Sequence, residues 1–262
     1  KKQLKKRLKD SKKQEKKQKS TDTEQKRIFV IQFKGDIRAS EASSLSDEIT
    51  AILTVAKPED KILVILESAG GTVHGYGYAA SQLHRIKKNG NHLIVAVDKV
   101  AASGGYMMAC VADKIIAAPF AIIGSIGVLA QIPNFNKLLK KHNIDFEQFS
   151  AGKYKRTVTM FGENTPEARE KLRDELEQTH DLFKEFVKTN RSQVEINEIA
   201  TGEHWYGTQA LDLNLVDELC TSDSYLCEAA KEHDIYLIKY IKKKSFTEKL
   251  FSTINSYFIP AI

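Results

Sequence analysis

The sequence predicts an α/β fold built on a mainly parallel sheet with helices on both faces. Three observations carry that prediction. The strand-like runs are apolar throughout rather than alternating, amphipathic helical patterns separate them, and glycine pairs stand where strand gives way to helix. At 262 residues and 42% hydrophobic content, the chain has enough apolar surface for a sizeable core.

Residues 1–27 carry thirteen Lys or Arg against four Asp or Glu, a charge of +9, and few apolar side chains. Such a segment cannot bury a core, so it reads as a disordered or juxtamembrane tail suited to anionic head groups. The rest of the chain sums to −3. With no zinc-finger, RNP or basic-zipper pattern on that body, nucleic-acid binding is excluded.

The folded domain is expected over residues 28–240. Residues 27–33 form its first strand and 41–56 a helix; 61–66 form a second strand that runs into a glycine turn, followed by a helix over 73–88. A third strand covers 92–98 and leads to Val100-Ala-Ala-Ser-Gly-Gly-Tyr-Met-Met-Ala-Cys110, a switch from strand to helix. Residues 114–118 and 122–131 read as further strands, 134–142 as a short helix and 146–154 as a polar, mobile connection. A long charged helix over 165–192 presents Leu172, Leu176, Leu182, Phe183 and Phe186 for packing outward of the sheet. The final segment, 241–262, places apolar residues at 246, 250, 251, 254, 257 and 258, a helical stripe suited to a neighbouring subunit or a membrane surface.

Three cysteines, Cys110, Cys220 and Cys227, have no metal-type spacing and imply no disulfide framework. No run of 18 apolar residues could span a bilayer. Because the first residue is Lys rather than Met, an anchor ahead of residue 1 is expected, and with it a membrane as partner.

Two stretches carry chemistry. Ser103 falls at a strand-to-helix switch, where its hydroxyl would meet the positive end of a helix and the unobstructed N–H groups of Gly104 and Gly105. That suits a nucleophile, and equally a helix N-cap in a glycine-softened turn. Glu67-Ser-Ala-Gly-Gly-Thr-Val-His74 likewise lies between strand and helix, and its glycines could aim N–H groups at an oxyanion. It matches neither a Walker loop nor a dinucleotide fingerprint, which disfavours nucleotide binding.

A serine nucleophile needs a base. Of seven histidines, His74 lies beside the glycine turn, and none falls between His92 and His142. A lysine serves instead when its surroundings leave the amine neutral, and Lys153 and Lys155 in Ala151-Gly-Lys-Tyr-Lys-Arg156 are candidates.

Ala102-Ser-Gly-Gly-Tyr106, Glu67-Ser-Ala-Gly-Gly71, Ile123-Gly-Ser-Ile-Gly-Val128, Gly152-Lys-Tyr-Lys155 and the stretch from Trp205 to Asp217 stand in the order and spacing of the signal peptide peptidase A family. Over residues 28–240 the chain resembles that family, and its His74-Gly-Tyr-Gly-Tyr-Ala-Ala and Lys-rich head look like the bacterial inner-membrane SohB branch. The resemblance implies a single Clp/crotonase-like domain with long C-terminal helices, and a serine endopeptidase with no metal or organic cofactor. Ser103 would be the nucleophile, Lys155 the general base, Ser125 the hydroxyl orienting the lysine, and Gly71 and Gly104 the oxyanion hole. Lys153 would be a bystander.

By the same resemblance the substrates would be membrane-derived, signal-peptide-like or unfolded polypeptides. The chain would form a homo-oligomeric ring, and the 52 residues between Ser103 and Lys155 leave open whether the two pair within one chain or between subunits. It would sit at the inner membrane with the catalytic domain periplasmic, whereas the +9 tail favours the cytoplasmic face. A Clp-type triad lacks the histidine it would need soon after the nucleophile helix. A crotonase-like acyl-CoA enzyme and a non-catalytic membrane-associated scaffold stand as alternatives. Ala69 occupies the place where the family commonly has proline, so a less rigid turn is expected there.

Overall fold

The computed structural model describes residues 26–241; the basic tail and the C-terminal stripe read from the sequence fall outside the described residues. The strands are β1 (Lys26–Lys34), β2 (Lys61–Glu67), β3 (His92–Val97), β4 (Val100–Ala102), β5 (Lys114–Ala117), β6 (Ile122–Gly124), β7 (His204–Tyr206), β8 (Glu218–Leu219) and β9 (His233–Ile238). The helices are α1 (Ala42–Leu53), α2 (Val73–Lys88), α3 (Gly104–Ala109), α4 (Asn136–Lys141), α5 (Pro166–Asn190), α6 (Ile196–Ile199), α7 (Gly207–Asp212) and α8 (Ser222–Ala229).

Six strands form one sheet in the order β8-β5-β3-β2-β1-β9, every neighbouring pair parallel. Because side chains alternate between the faces of a strand, this sheet serves two cores. Phe29, Ile31 and Phe33 of β1 join Ile62, Val64 and Leu66 of β2 under α1, α2 and α3. Ile28, Val30, Leu63, Ile94, Ala96 and Ile116 face the other way, where Tyr225, Leu226 and Ala229 cover them. The α2 helix buries Tyr76, Ala79, Ala80, Leu83 and Ile86, one stripe at helical spacing, and ends with Arg85, Lys87 and Lys88 complementing its negative pole.

The remaining strands make a small sheet, β4-β6-β7, in which β4 and β6 run parallel and β7 antiparallel. Ser68, just past β2, joins the two sheets: its N–H donates to Val100 O at 2.9 Å and its carbonyl accepts from Ala102 N at 3.0 Å. That seam brings the glycine turn alongside Ser103. An ion pair buried on its arginine side only pins the end of α5 to the main sheet. Arg191, with its side chain 3% exposed, places two nitrogens at 2.9 Å from the two Asp217 oxygens, and Asp217 also accepts from Ile115 N.

The predicted class and the order of elements through β5 agree with the structure. The strand expected over 122–131 stops at Gly124. Ser125 turns out of the ladder at φ +52°, and its N–H goes to Glu203 O. Of the apolar positions named on the long helix, Phe183 is buried while Leu182 is 67% exposed, so only the C-terminal part of α5 packs closely. Thr165 caps that helix, its Oγ1 accepting from Ala168 N. Strand β9 carries no alternation of burial and went unread in the sequence.

Strand β1 begins at Lys26, inside the stretch read as tail, and Asp60 explains why. The Asp60 side chain is 2% exposed and accepts hydrogen bonds from Arg27 and Lys57 N. Burial alone would push this carboxyl up, but the Arg27 and Lys57 hydrogen bonds outweigh it and hold the pKa below its ordinary 3.8. A lowered carboxylate pKa adds stability above the unfolded value, and that stability is lost as pH falls through the folded value. Asp60→Asn is expected to lose roughly 1–3 kcal/mol at neutral pH. It should also lose less than the wild type between about pH 5 and pH 2, as followed by denaturant unfolding across that range. Parallel acid profiles would refute this role.

Candidate active site

Ser103 stands between β4 and α3 at φ +52°, ψ −118°, a conformation that costs a non-glycine residue about 1–3 kcal/mol. Its N–H is held by Gly124 O at 2.8 Å. The side chain makes no capping bond to α3, and among the described residues its hydroxyl makes no hydrogen bond. Ser103 thus holds the N-cap position of α3 without spending its hydroxyl there. A strained, half-exposed serine with a free hydroxyl borders a cleft of about 800 Å³.

Gly71, Gly104 and Ser125 line the same cleft. Among the described residues, neither the Gly71 nor the Gly104 N–H donates to a protein acceptor. Such free donors beside a serine are what an oxyanion would need. Gly70 is the other glycine of the turn singled out in the sequence. It adopts φ +89°, and a Cβ there would come within 2.8 Å of Ser103 Cβ and Ala102 O. The glycine pair thus lets one backbone approach another. Ser125, also at φ +52°, places its Oγ 3.4 Å from Gly202 O.

Lys155 is exposed, on the irregular segment between α4 and α5, and it is not among the residues lining the cleft. Within one chain the structure brings Ser103, Ser125, Gly71 and Gly104 together, and leaves Lys155 apart. Lys153 pairs with Glu167 at 3.3 Å and lies over the Tyr154 ring. Tyr154 and then Glu167 raise its pKa above the ordinary value, which suits a cation and not a base. No histidine hydrogen-bonds to Ser103 among the described residues. His74 is exposed at the start of α2, whereas His180, also passed over in the sequence, lines the cleft with its Nε2 3.2 Å from Ile126 O.

The segment from 134 to 164 is held by side-chain bonds to backbone: Asn134 donates to Thr159 O and Gly162 O, and Asn136 to Phe161 O. Phe161 stacks on Phe135 and lies tilted against Phe146 within it. It nonetheless leaves Leu138, Ile144 and Phe149 exposed, the last at 90%. Among the described residues no cluster of His, Cys, Asp or Glu could hold a metal, and no helix is long and apolar enough to cross a membrane.

Comparison with known proteins places the chain. The profile described as Peptidase family S49 matches residues 85–236, and that of Peptidase family S49 N-terminal matches residues 1–83. The chain belongs to peptidase family S49. Within S49 it is similar to the SohB proteins: it is 60% identical over 85% of its length to a "Probable protease SohB" of Haemophilus influenzae, covering 63% of that protein. It is 56% identical over 88% of its length to one of Buchnera aphidicola, covering 68%. The chain therefore spans about two thirds of the length of these relatives. The fold is similar to that of a lysine-to-alanine mutant of the 1510-N membrane-bound stomatin-specific protease, solved with a substrate peptide. That likeness has a TM-score of 0.52 at 15% identity, over 89% of this chain and 99% of that one.

Gly104 faces the Tyr76 ring so closely that an added Cβ would lie far inside van der Waals contact. Gly104→Ala is expected to destabilise the fold by about 1–3 kcal/mol and to lower the thermal midpoint accordingly. An unchanged melting curve would contradict the packing described here.

Proposed function

We propose that this chain is the catalytic portion of a serine endopeptidase working through Ser103 and Lys155. One observation carries the reading: a strained serine with a free hydroxyl shares a cleft with two unused backbone N–H groups. Ser103 Oγ attacks the substrate carbonyl while the neutral amine of Lys155 takes its proton, and the oxyanion rests on the Gly71 and Gly104 N–H groups. The lysine returns the proton to the leaving amine. Water activated by the same amine then releases the acyl chain, and Ser125 orients the lysine. No metal or organic cofactor enters the scheme.

Lys155 acts from a neighbouring subunit of a homo-oligomeric ring. Its exposure outside the cleft of its own chain supports this, as do the apolar side chains left uncovered on the segment that carries it. Substrates are membrane-derived, signal-peptide-like or unfolded polypeptides. The apolar flanks offered by Met107, Val128 and Phe183 support them. The reading puts the domain on the periplasmic side of a bacterial inner membrane, tethered ahead of residue 1, on the strength of family resemblance. In intact spheroplasts the exposed Cys227 should react with an impermeant maleimide, and protection until lysis would instead put the domain in the cytoplasm.

Casein or peptide hydrolysis is expected to fall by about 10³-fold or more in Ser103→Ala and in Lys155→Ala. Mixing the two inactive variants should recover activity, because some mixed sites then hold both residues. No recovery would argue for a lysine supplied in cis. Thioester turnover surviving Ser103→Ala would favour an acyl-CoA enzyme, and absence of labelling by a serine-reactive phosphonate would favour a scaffold.

A further inference from the structure

The backbone N–H groups that would hold the oxyanion belong to two separate turns, so something must fix those turns relative to each other. Tyr76 and Ser68 lie where that fixing would occur. Tyr76 is fully buried on the stripe that α2 turns to the core, and Ser68 is 2% exposed. A phenylalanine would fill the same place on that stripe without a hydroxyl to satisfy, and a buried hydroxyl is tolerated only when it is bonded.

The bonds form a chain with one direction. Gly70 N–H donates to Ser68 Oγ at 3.0 Å, Ser68 Oγ lies 2.6 Å from Tyr76 Oη, and Tyr76 Oη donates to Asp36 O at 2.7 Å. A phenol has one proton, and Tyr76 commits it to Asp36. Ser68 therefore donates to Tyr76, which leaves its own lone pairs to receive Gly70. Burial holds the Tyr76 hydroxyl above its ordinary pKa, so it stays a donor throughout the neutral range. The same side chain reaches the second turn through its ring, which occupies the space a Cβ on Gly104 would need. Meanwhile the Ser68 backbone is bonded on both sides to β4, the strand that ends at Ser103.

We propose that Tyr76 and Ser68 are positioning residues for the oxyanion hole, an inference that rests on the protease reading above. The hydroxyl chain fixes the Ala69-Gly70 peptide, the unit next to the one that carries the Gly71 N–H, and the ring sets the height of Gly104. The two donors are thereby held at one spacing. Neither side chain touches the reacting atoms.

The test uses full-length Tyr76→Phe and Ser68→Ala, with a chromogenic peptide substrate and a peptide aldehyde that forms a tetrahedral adduct on the serine. Losing an oxyanion donor outright costs about 10²–10³ in kcat, so a misaligned one is expected to cost about 10–100-fold. KM should change by less than about 3-fold, and aldehyde affinity should fall in parallel with kcat, because both depend on the oxyanion. The double variant should lose no more than the worse single one, since both break one chain. The pH profile should keep its shape at a lower plateau.

An unchanged kcat in either folded variant, or a rise in KM alone, overturns the proposal. If Tyr76→Phe fails to fold, the smaller change Ser68→Ala decides by the same criteria, and failure of both to fold assigns the pair to stability alone. Ser103→Ala is run alongside. Activity surviving there brings down the protease reading itself, whereas serine-dependent activity indifferent to Tyr76→Phe brings down only this inference.

Discussion

The backbone of Ser68 is bonded to β4 through its N–H and through its carbonyl, and the site depends on that seam. Parallel strands end at the same edge of their sheet, so the connections leaving them collect there. The seam turns this general property into a particular one, because it ties the end of β2 to the strand carrying the serine. The glycine turn, the strained Ser103 and the Ser125 turn all follow from where β2, β4 and β6 stop. Strain at two serines persists because the surrounding ladders and helices over-determine their backbones. Gly124 O fixes the Ser103 amide and Glu203 O fixes that of Ser125.

Most of the fold was legible because its interior strands are buried on both faces and so read as uninterrupted apolar runs. Residues 61–67, 92–97 and 114–117 announce themselves that way, and α2 does so through its stripe. Strand β9 escaped because an edge strand packs on one neighbour only, and its exposed Tyr236 and Leu237 follow no alternation. The false continuation of β6 has a different origin. Residues 125–131 are apolar enough for a strand, but a positive φ at Ser125 cannot be read from composition.

The site was legible in part, and the divide is chemical. Ser103, Gly71, Gly104 and Ser125 sit in short motifs that each suit an ordinary turn or cap, and it is their shared order and spacing that singles them out. Gly70 reads with them as part of the glycine pair, and its φ of +89° is of the kind that pair permits. Ser68 and Tyr76 looked like an ordinary turn residue and an ordinary core aromatic, and only the hydrogen-bond directions separate them from that description. The exposed Lys155 marks a limit of another kind, because its own chain's packing does not bring it to the cleft and its proposed part rests on family resemblance alone.

Strand direction has one more consequence. Lys26 opens β1 opposite His233, while Lys34 closes it opposite Glu67, on the side where the glycine turn begins. At about 3.3 Å per residue, those nine residues carry the chain some 25 Å across the sheet. Whatever precedes Lys26 is joined to the domain on the far side from the cleft, and whatever follows Ile238 departs on the cleft's side. The first described residue and the edge that carries Ser103 thus lie a full strand apart.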